Sequence, residues 1–316
     1  MAKLVSKSTY GIDVAKDQLV ICQWGCEELI VLDNQPAAIH AWLDSLCGPI
    51  RIAIEPTSHY HLVVVEAALA RGHQVYLVNP RQLVHYREAV NLRHKTDAVD
   101  AWLLARYLEH EADQLRPFQP QDRRAQRLWA LLMRRATVVQ SRQQLQQSFA
   151  ELRLSIQALL TQFRQLLQRL DQQIQRLIRE LGWEADYLRC QSIPGIGPAS
   201  AAALVAAWHR GAFASSDAFV AYLGLDIRLR ESGGFKGKCK LTKRGEPELR
   251  RLLFCGSRAA CNHPNFAAYR QRQLDKGLSK TAARVALARK LVRIAFTLMN
   301  NQQTFNQPEN AYCAAP

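Results

Sequence analysis

Thr9-Tyr-Gly-Ile-Asp-Val-Ala-Lys16, and further on Arg51-Ile-Ala-Ile-Glu-Pro-Thr-Ser-His-Tyr60, decide the reading of this chain. In each stretch apolar, β-prone residues run into a single acid, Asp13 in the first and Glu55 in the second. Each acid therefore falls at or near the end of a buried strand. A carboxylate there costs free energy unless something binds it. A second pair, Asp97 and Asp100 in Lys95-Thr-Asp-Ala-Val-Asp-Ala101, heads a segment whose composition favours helix over 98–109. Three residues apart, the two share a helical face. Converging carboxylate oxygens suit hard Mg²⁺ or Mn²⁺, and the four acids read as a metal-ion nuclease site.

Working outward, the pattern predicts strands over 9–14, 18–24 and 29–32, then a helix over 37–46. After that it alternates: strand 50–54, helix 61–71, strand 74–78, and helices 81–90 and 98–109. Three short strands followed by alternating helix and strand is the order of an RNase H-like α/β fold. The acids fall on its first strand, its fourth strand and its final helix. His59 and His61 lie beside Glu55, and a structural role fits them best.

Arg116-Pro-Phe-Gln-Pro120 reads as a linker, and the next stretch holds neither Pro nor Gly until Gly182. Within it Leu145, Phe149, Leu152, Ile156, Leu159, Phe163, Leu166 and Leu170 alternate steps of four and three. That is a heptad seam, which predicts a coiled coil serving oligomerisation rather than chemistry. Pairing with its own chain and pairing with another subunit both satisfy it. The resulting division is a catalytic domain over 1–115, linker and coiled coil over 116–185, a mainly helical domain over 186–300 and a polar tail over 301–316.

In the third region Ser192-Ile-Pro-Gly-Ile-Gly-Pro-Ala-Ser200 precedes an apolar helix and resembles a helix-hairpin-helix. Gly195 and Gly197 would there open backbone N–H groups to a phosphate. Between Asp226 and Arg258 ten Lys or Arg face four acids. At the centre stands Arg230-Glu-Ser-Gly-Gly-Phe-Lys-Gly-Lys238. Ser-Gly-Gly is ordinarily a surface loop, but Arg228, Arg230, Lys236 and Lys238 around the Ser232 hydroxyl could hold a scissile phosphate beside it. Lys240, Lys243 and Arg244 extend the basic run. A last helical stretch over 279–299, with Arg284, Arg289, Lys290 and Arg293, would line a backbone track.

The formal charge of +15 is unevenly placed, because residues 1–112 carry 10 Lys and Arg against 13 Asp and Glu, a net of −3 that leaves +18 for the rest. Such one-sided basicity predicts a nucleic-acid partner. No apolar run approaches the roughly 20 residues of a membrane span, and no signal-peptide core opens the chain, so a cytoplasmic protein is expected. Cysteines 22, 26, 47, 190, 239, 255, 261 and 313 form no C-x-x-C pair, which reads as reduced thiols.

With these motifs in order, the chain resembles the DEDD transposases of the insertion-sequence family numbered one hundred and ten, together with the related pilin-gene invertases. The resemblance rests on G-I-D-V-A-K at 11–16, E-P-T-S-H-Y at 55–60, N-P at 79–80, K-T-D-A-V-D-A at 95–101, S-I-P-G-I-G at 192–197, R-E-S-G-G at 230–234 and L-T-K-R-G at 241–245. It implies a RuvC-like domain whose Asp13, Glu55, Asp97 and Asp100 bind Mg²⁺, joined by a coiled coil to a transposase domain with Ser232 as nucleophile. It further implies a covalent phosphoserine link to donor and target DNA, a bridge RNA as guide, and dimers assembling into tetramers with a composite active site. The rival readings are a RuvC-like endonuclease using water, a DNA-only invertase, an actin-like ATPase and a catalytically dead scaffold. The actin-like ATPase would need further glycine-rich phosphate loops after later strands, and the first hundred residues hold none, nor has the pair Asp97 and Asp100 a role there.

Overall fold

The computed structural model describes residues 8–305 apart from 95, 121, 153, 229, 230, 233, 234 and 237–239, with the backbone alone at 114, 231, 232, 235 and 236. The expected tail after Asn300 lies outside it from residue 306 on. The chain divides into two compact units, Met1–Pro120 and Gln121–Pro316.

The first unit is a five-stranded mixed sheet flanked by helices. Its elements run β1 (Thr9–Val14), β2 (Gln18–Gln23), β3 (Leu29–Asp33), α1 (Pro36–Asp44), β4 (Arg51–Ile54), α2 (Leu62–Ala70), β5 (Gln74–Leu77), α3 (Pro80–Ala89) and α4 (Asp97–Glu111). The strand order is β3-β2-β1-β4-β5. β2 lies antiparallel to β1 and β3, while β4 is parallel to β1 and β5. This arrangement fits an RNase H-like domain. One sheet face buries Ile12, Ile52 and Ile54 with Ile39, Trp42, Val64 and Ala68. The other buries Ala53 and Tyr76 with Leu103, Leu104 and Tyr107 of α4. The side chains of one strand thus divide between two layers, as a strand's period of two requires.

Asn79 and Pro80, read from sequence only as a motif, start α3: the Asn79 side-chain Oδ1 accepts from Arg81 N–H at 2.9 Å, and Pro80 takes the first helical position. Thr96 does the same for α4, its hydroxyl accepting from Val99 N–H at 3.3 Å. That cap begins the helix at Asp97, one residue before the expected 98.

The second unit is built from helices α5 (Arg123–Ser148), α6 (Gln157–Glu180), α7 (Glu184–Gln191), α8 (Pro198–Trp208), α9 (Ser216–Tyr222), α10 (Pro247–Ala260), α11 (Pro264–Asp275) and α12 (Lys280–Asn300), and four two-residue strands. α5 and α6 fold back on each other antiparallel. Arg135 pairs with Asp171 at 2.6 Å, and Arg124 donates to the Glu180 carbonyl at 3.1 Å. The expected seam is corrected here: Phe149, Leu152 and Ile156 fall between the two helices, so no single heptad runs through them. The buried residues are instead Leu128, Leu132 and Ala136 on α5 and Leu167, Ile174, Leu177 and Ile178 on α6. Leu152, Leu159 and Leu166 stay exposed at 54%, 39% and 43%.

α8 is buried from Ser200 to Ala207, and its alanines let α5, α6, α7 and α10 approach it. Gly195, in the turn before it, has φ +91°, and a Cβ there would overlap Gly256 O and Ala260 of α10. Close packing alone accounts for glycine at this position.

Candidate active site

Parallel register sets the first half of the site. Ile12 of β1 pairs with Ile54 of β4, so the next residues, Asp13 and Glu55, leave adjacent strand ends side by side. Both follow the alternation onto the face covered by α4. That helix lies unusually close to β1, and the reason is Gly11: a Cβ there would overlap Ala101 O and Ala105 N of α4. At the far end Glu109 of α4 accepts hydrogen bonds from Thr9 at 2.7 Å and Arg51 at 2.6 Å, fixing how far the helix slides. With those two points set, the first turn of α4 brings Asp97 and Asp100 to Asp13.

The result is a cleft of ≈ 450 Å³ lined by Asp13, Glu55, Asp97 and Asp100, with Thr57 and Arg87. Burial, and then the charges of Asp97, Asp100 and Glu55, push the Asp13 carboxyl up to about 6. Like charges held together in this way call for a cation. Among the described residues no three of these groups close on one point as a finished ligand set. Asp100 is instead ion-paired with Arg87, reaching from the last turn of α3. The donor set still fits a hard divalent ion: four carboxylates on one cleft, two of them in the first turn of a helix. Neither neighbouring histidine joins them there. His61 is buried at the head of α2, and His59 is exposed with its ring against Tyr60.

In the second unit Ser232 lies on a strand rather than in an irregular loop. Ile227–Arg228 pairs with Lys240–Leu241, and Glu231–Ser232 pairs with Phe235–Lys236, with Ser232 opposite Phe235. At the base of this ribbon Asp226 accepts a hydrogen bond from the Thr242 hydroxyl. Arg228, Lys240, Lys243 and Arg244 are exposed along it. Arg230 and Lys238 lie outside the described residues, and of Lys236 only the backbone is described.

Cations gather on α11 and α12. Lys290 is buried with its ammonium 4.6 Å from the Tyr269 ring centre, and Arg293 pairs with Asp217 at 2.8 Å. Burial and then Arg293 lower the pKa of Arg289. Gly197 ends the turn before α8 as its N-cap, with open space where a Cβ would stand. Reading the sequence missed Gly11 and Arg87. Glycine inside a strand, two residues before the acid, was the available sign of a close backbone approach; Arg87 left none.

Residues 10–157 match a family described as "Transposase", of the DEDD type, and residues 188–271 match the "Transposase IS116/IS110/IS902 family". Pilin gene-inverting proteins of Moraxella lacunata and Moraxella bovis are each 28% identical over 96% of this chain and 99% of their own length. The transposase for insertion sequence element IS1111A of Coxiella burnetii is 32% identical over 38% of this chain and 34% of its own. An acidic cleft on a mixed sheet, a basic helical unit and these matches define an enzyme of the DNA transposase and recombinase class. Within it, the chain belongs to the IS110 family.

Proposed function

We propose that this enzyme cuts and rejoins DNA through a phosphoserine intermediate, with Asp13, Glu55, Asp97 and Asp100 holding Mg²⁺, or Mn²⁺ in its place, for Ser232. The observation that carries the reading is Asp13, raised to about 6 by burial and by three other carboxylates around one cleft. Ser232 attacks the scissile phosphorus; a P–Oγ bond forms while the bond to a bridging deoxyribose oxygen breaks. That oxygen leaves as a hydroxyl, taking up one proton as the serine gives one up. Rejoining is the reverse attack by a strand hydroxyl on the serine ester, so no ATP is needed. A bound divalent ion supplies charge withdrawal at the phosphate.

The basic residues Arg228, Arg230, Lys236, Lys238, Lys240, Lys243 and Arg244 would track the strand, with Arg289 of α12 and the backbone at Gly197 as further phosphate contacts; Lys290, buried against Tyr269, and Gly195, packed on α10, serve the fold instead. Exposed Leu159 and Leu166 on α6 favour pairing between subunits, up to a tetramer in which the acids of one subunit serve the serine of another. A bridge RNA as guide rests on the family resemblance. Labelled DNA carrying the element's ends, incubated with Mg²⁺ and resolved under denaturing conditions, tests the chemistry. Wild type gives a protein–DNA adduct at the Ser232 peptide, which Ser232→Ala and Asp13→Ala lose. Strand cleavage that survives Ser232→Ala contradicts the serine step and favours hydrolysis by water.

A further inference from the structure

Resting on the four-acid reading, we propose that Arg87 is the resident counter-cation of the cleft: it holds Asp100 until a divalent ion arrives, then yields that carboxylate and turns to the DNA phosphate. Arg87 and Asp100 are paired with side chains only 16% and 12% exposed. Among the described residues lining the cleft, Arg87 is the one cation against four carboxylates. Without it the metal-free site would set buried Asp100 beside half-buried Asp13 and Glu55 with no opposing charge among the described residues that line the cleft, which folding opposes.

The form of the pair argues for release. Arg71 and Arg251 grip their acids with two prongs, on both oxygens of Asp44 and of Glu248, while Arg51 holds one oxygen of Glu109 and shares the same nitrogen with Thr9. Arg87 donates to Asp100 Oδ1 through one terminal nitrogen alone, and its buried Nε has no hydrogen-bond partner. A donor left over inside a charged cleft is poised for a second acceptor. A guanidinium and a divalent ion on the same carboxylate repel each other, so binding of one weakens the other. A phosphate oxygen entering beside the metal offers Arg87 a charge-assisted replacement.

Mn²⁺ titration of the full-length protein, followed by electron paramagnetic resonance, tests this with Arg87→Met and Arg87→Lys. Arg87→Met should bind Mn²⁺ about tenfold more tightly than wild type, the worth of one charge-assisted hydrogen bond. Arg87→Lys, which keeps the charge and so safeguards folding, should fall between them. In EDTA Arg87→Met should melt below wild type and gain more from added Mn²⁺. Unchanged or weaker Mn²⁺ binding in both variants, with wild type and Arg87→Lys melting cooperatively, makes Arg87 a structural clamp and overturns the proposal while leaving the four-acid site standing. If wild type binds no more Mn²⁺ than Asp13→Asn, both fail.

Discussion

The two units concentrate opposite charges by different means. In the first, strand register and a helix laid over Gly11 bring four acids to one cleft inside a rigid sheet. In the second, cations line a short ribbon and the Tyr269 side of α12, where Lys290 is buried against an aromatic ring. The first unit sets four acids against the single cation Arg87 among the described residues lining its cleft, while the second carries the chain's basic excess. On the proposed mechanism a metal-bound DNA phosphate would answer both, and the acids of the first unit would serve catalysis within a chain of net charge +15.

The largest effects are expected at the acids themselves. Asp13→Ala and Asp97→Ala should each lower strand cleavage by about 10³-fold or more while DNA binding persists, measured by cleavage and by retardation of the same labelled duplex. Loss of both together would mean that the acids serve folding. Next comes Gly11→Ala, which forces α4 off β1. We expect a loss of about 3 kcal/mol in denaturant unfolding and a matching loss of cleavage, because the helix carries Asp97 and Asp100 with it.

That glycine marks where the sequence was legible and where it was not. The strands and helices of the first unit were readable because apolar patterning is local, whereas the Asn79 cap and Pro80 that start α3 were read only as a motif. The four acids were readable because each interrupts an apolar run or opens a helix. What sequence withheld depends on contacts across the fold: the approach of α4 to Gly11, and the reach of Arg87 from α3 to Asp100. The heptad misled for the same reason, since apolar steps of four and three continue through a helix end, and packing of α5 on α6 through other residues overrides them.

The remnant of that seam on α6 is an exposed apolar face. Leu159→Glu with Leu166→Glu should leave the fold intact and shift the protein to a smaller species in light scattering, with cleavage falling alongside. An unchanged mass would put subunit contacts elsewhere.

A smaller effect follows from Asp13. Its carboxyl is raised in the folded protein, so in EDTA ionising it costs stability: this contribution is full below the ordinary carboxylate value of 3.8 and is lost as pH rises through about 6. Asp13→Asn should flatten that part of the pH–stability curve, and Mn²⁺ affinity of the wild type should rise across the same interval as the proton leaves. Smallest of all, Arg289→Gln should weaken DNA binding modestly and reduce the slope of log affinity against log salt by about 1, the signature of one phosphate contact.

On the proposed mechanism acids and serine, carried by different units, act in one reaction across subunits. Asp13→Ala and Ser232→Ala proteins, each inactive alone, should regain adduct formation when co-assembled, with the DNA attached only to the Asp13→Ala subunit that retains its serine. A mixed assembly that forms and binds DNA yet stays inactive would contradict it.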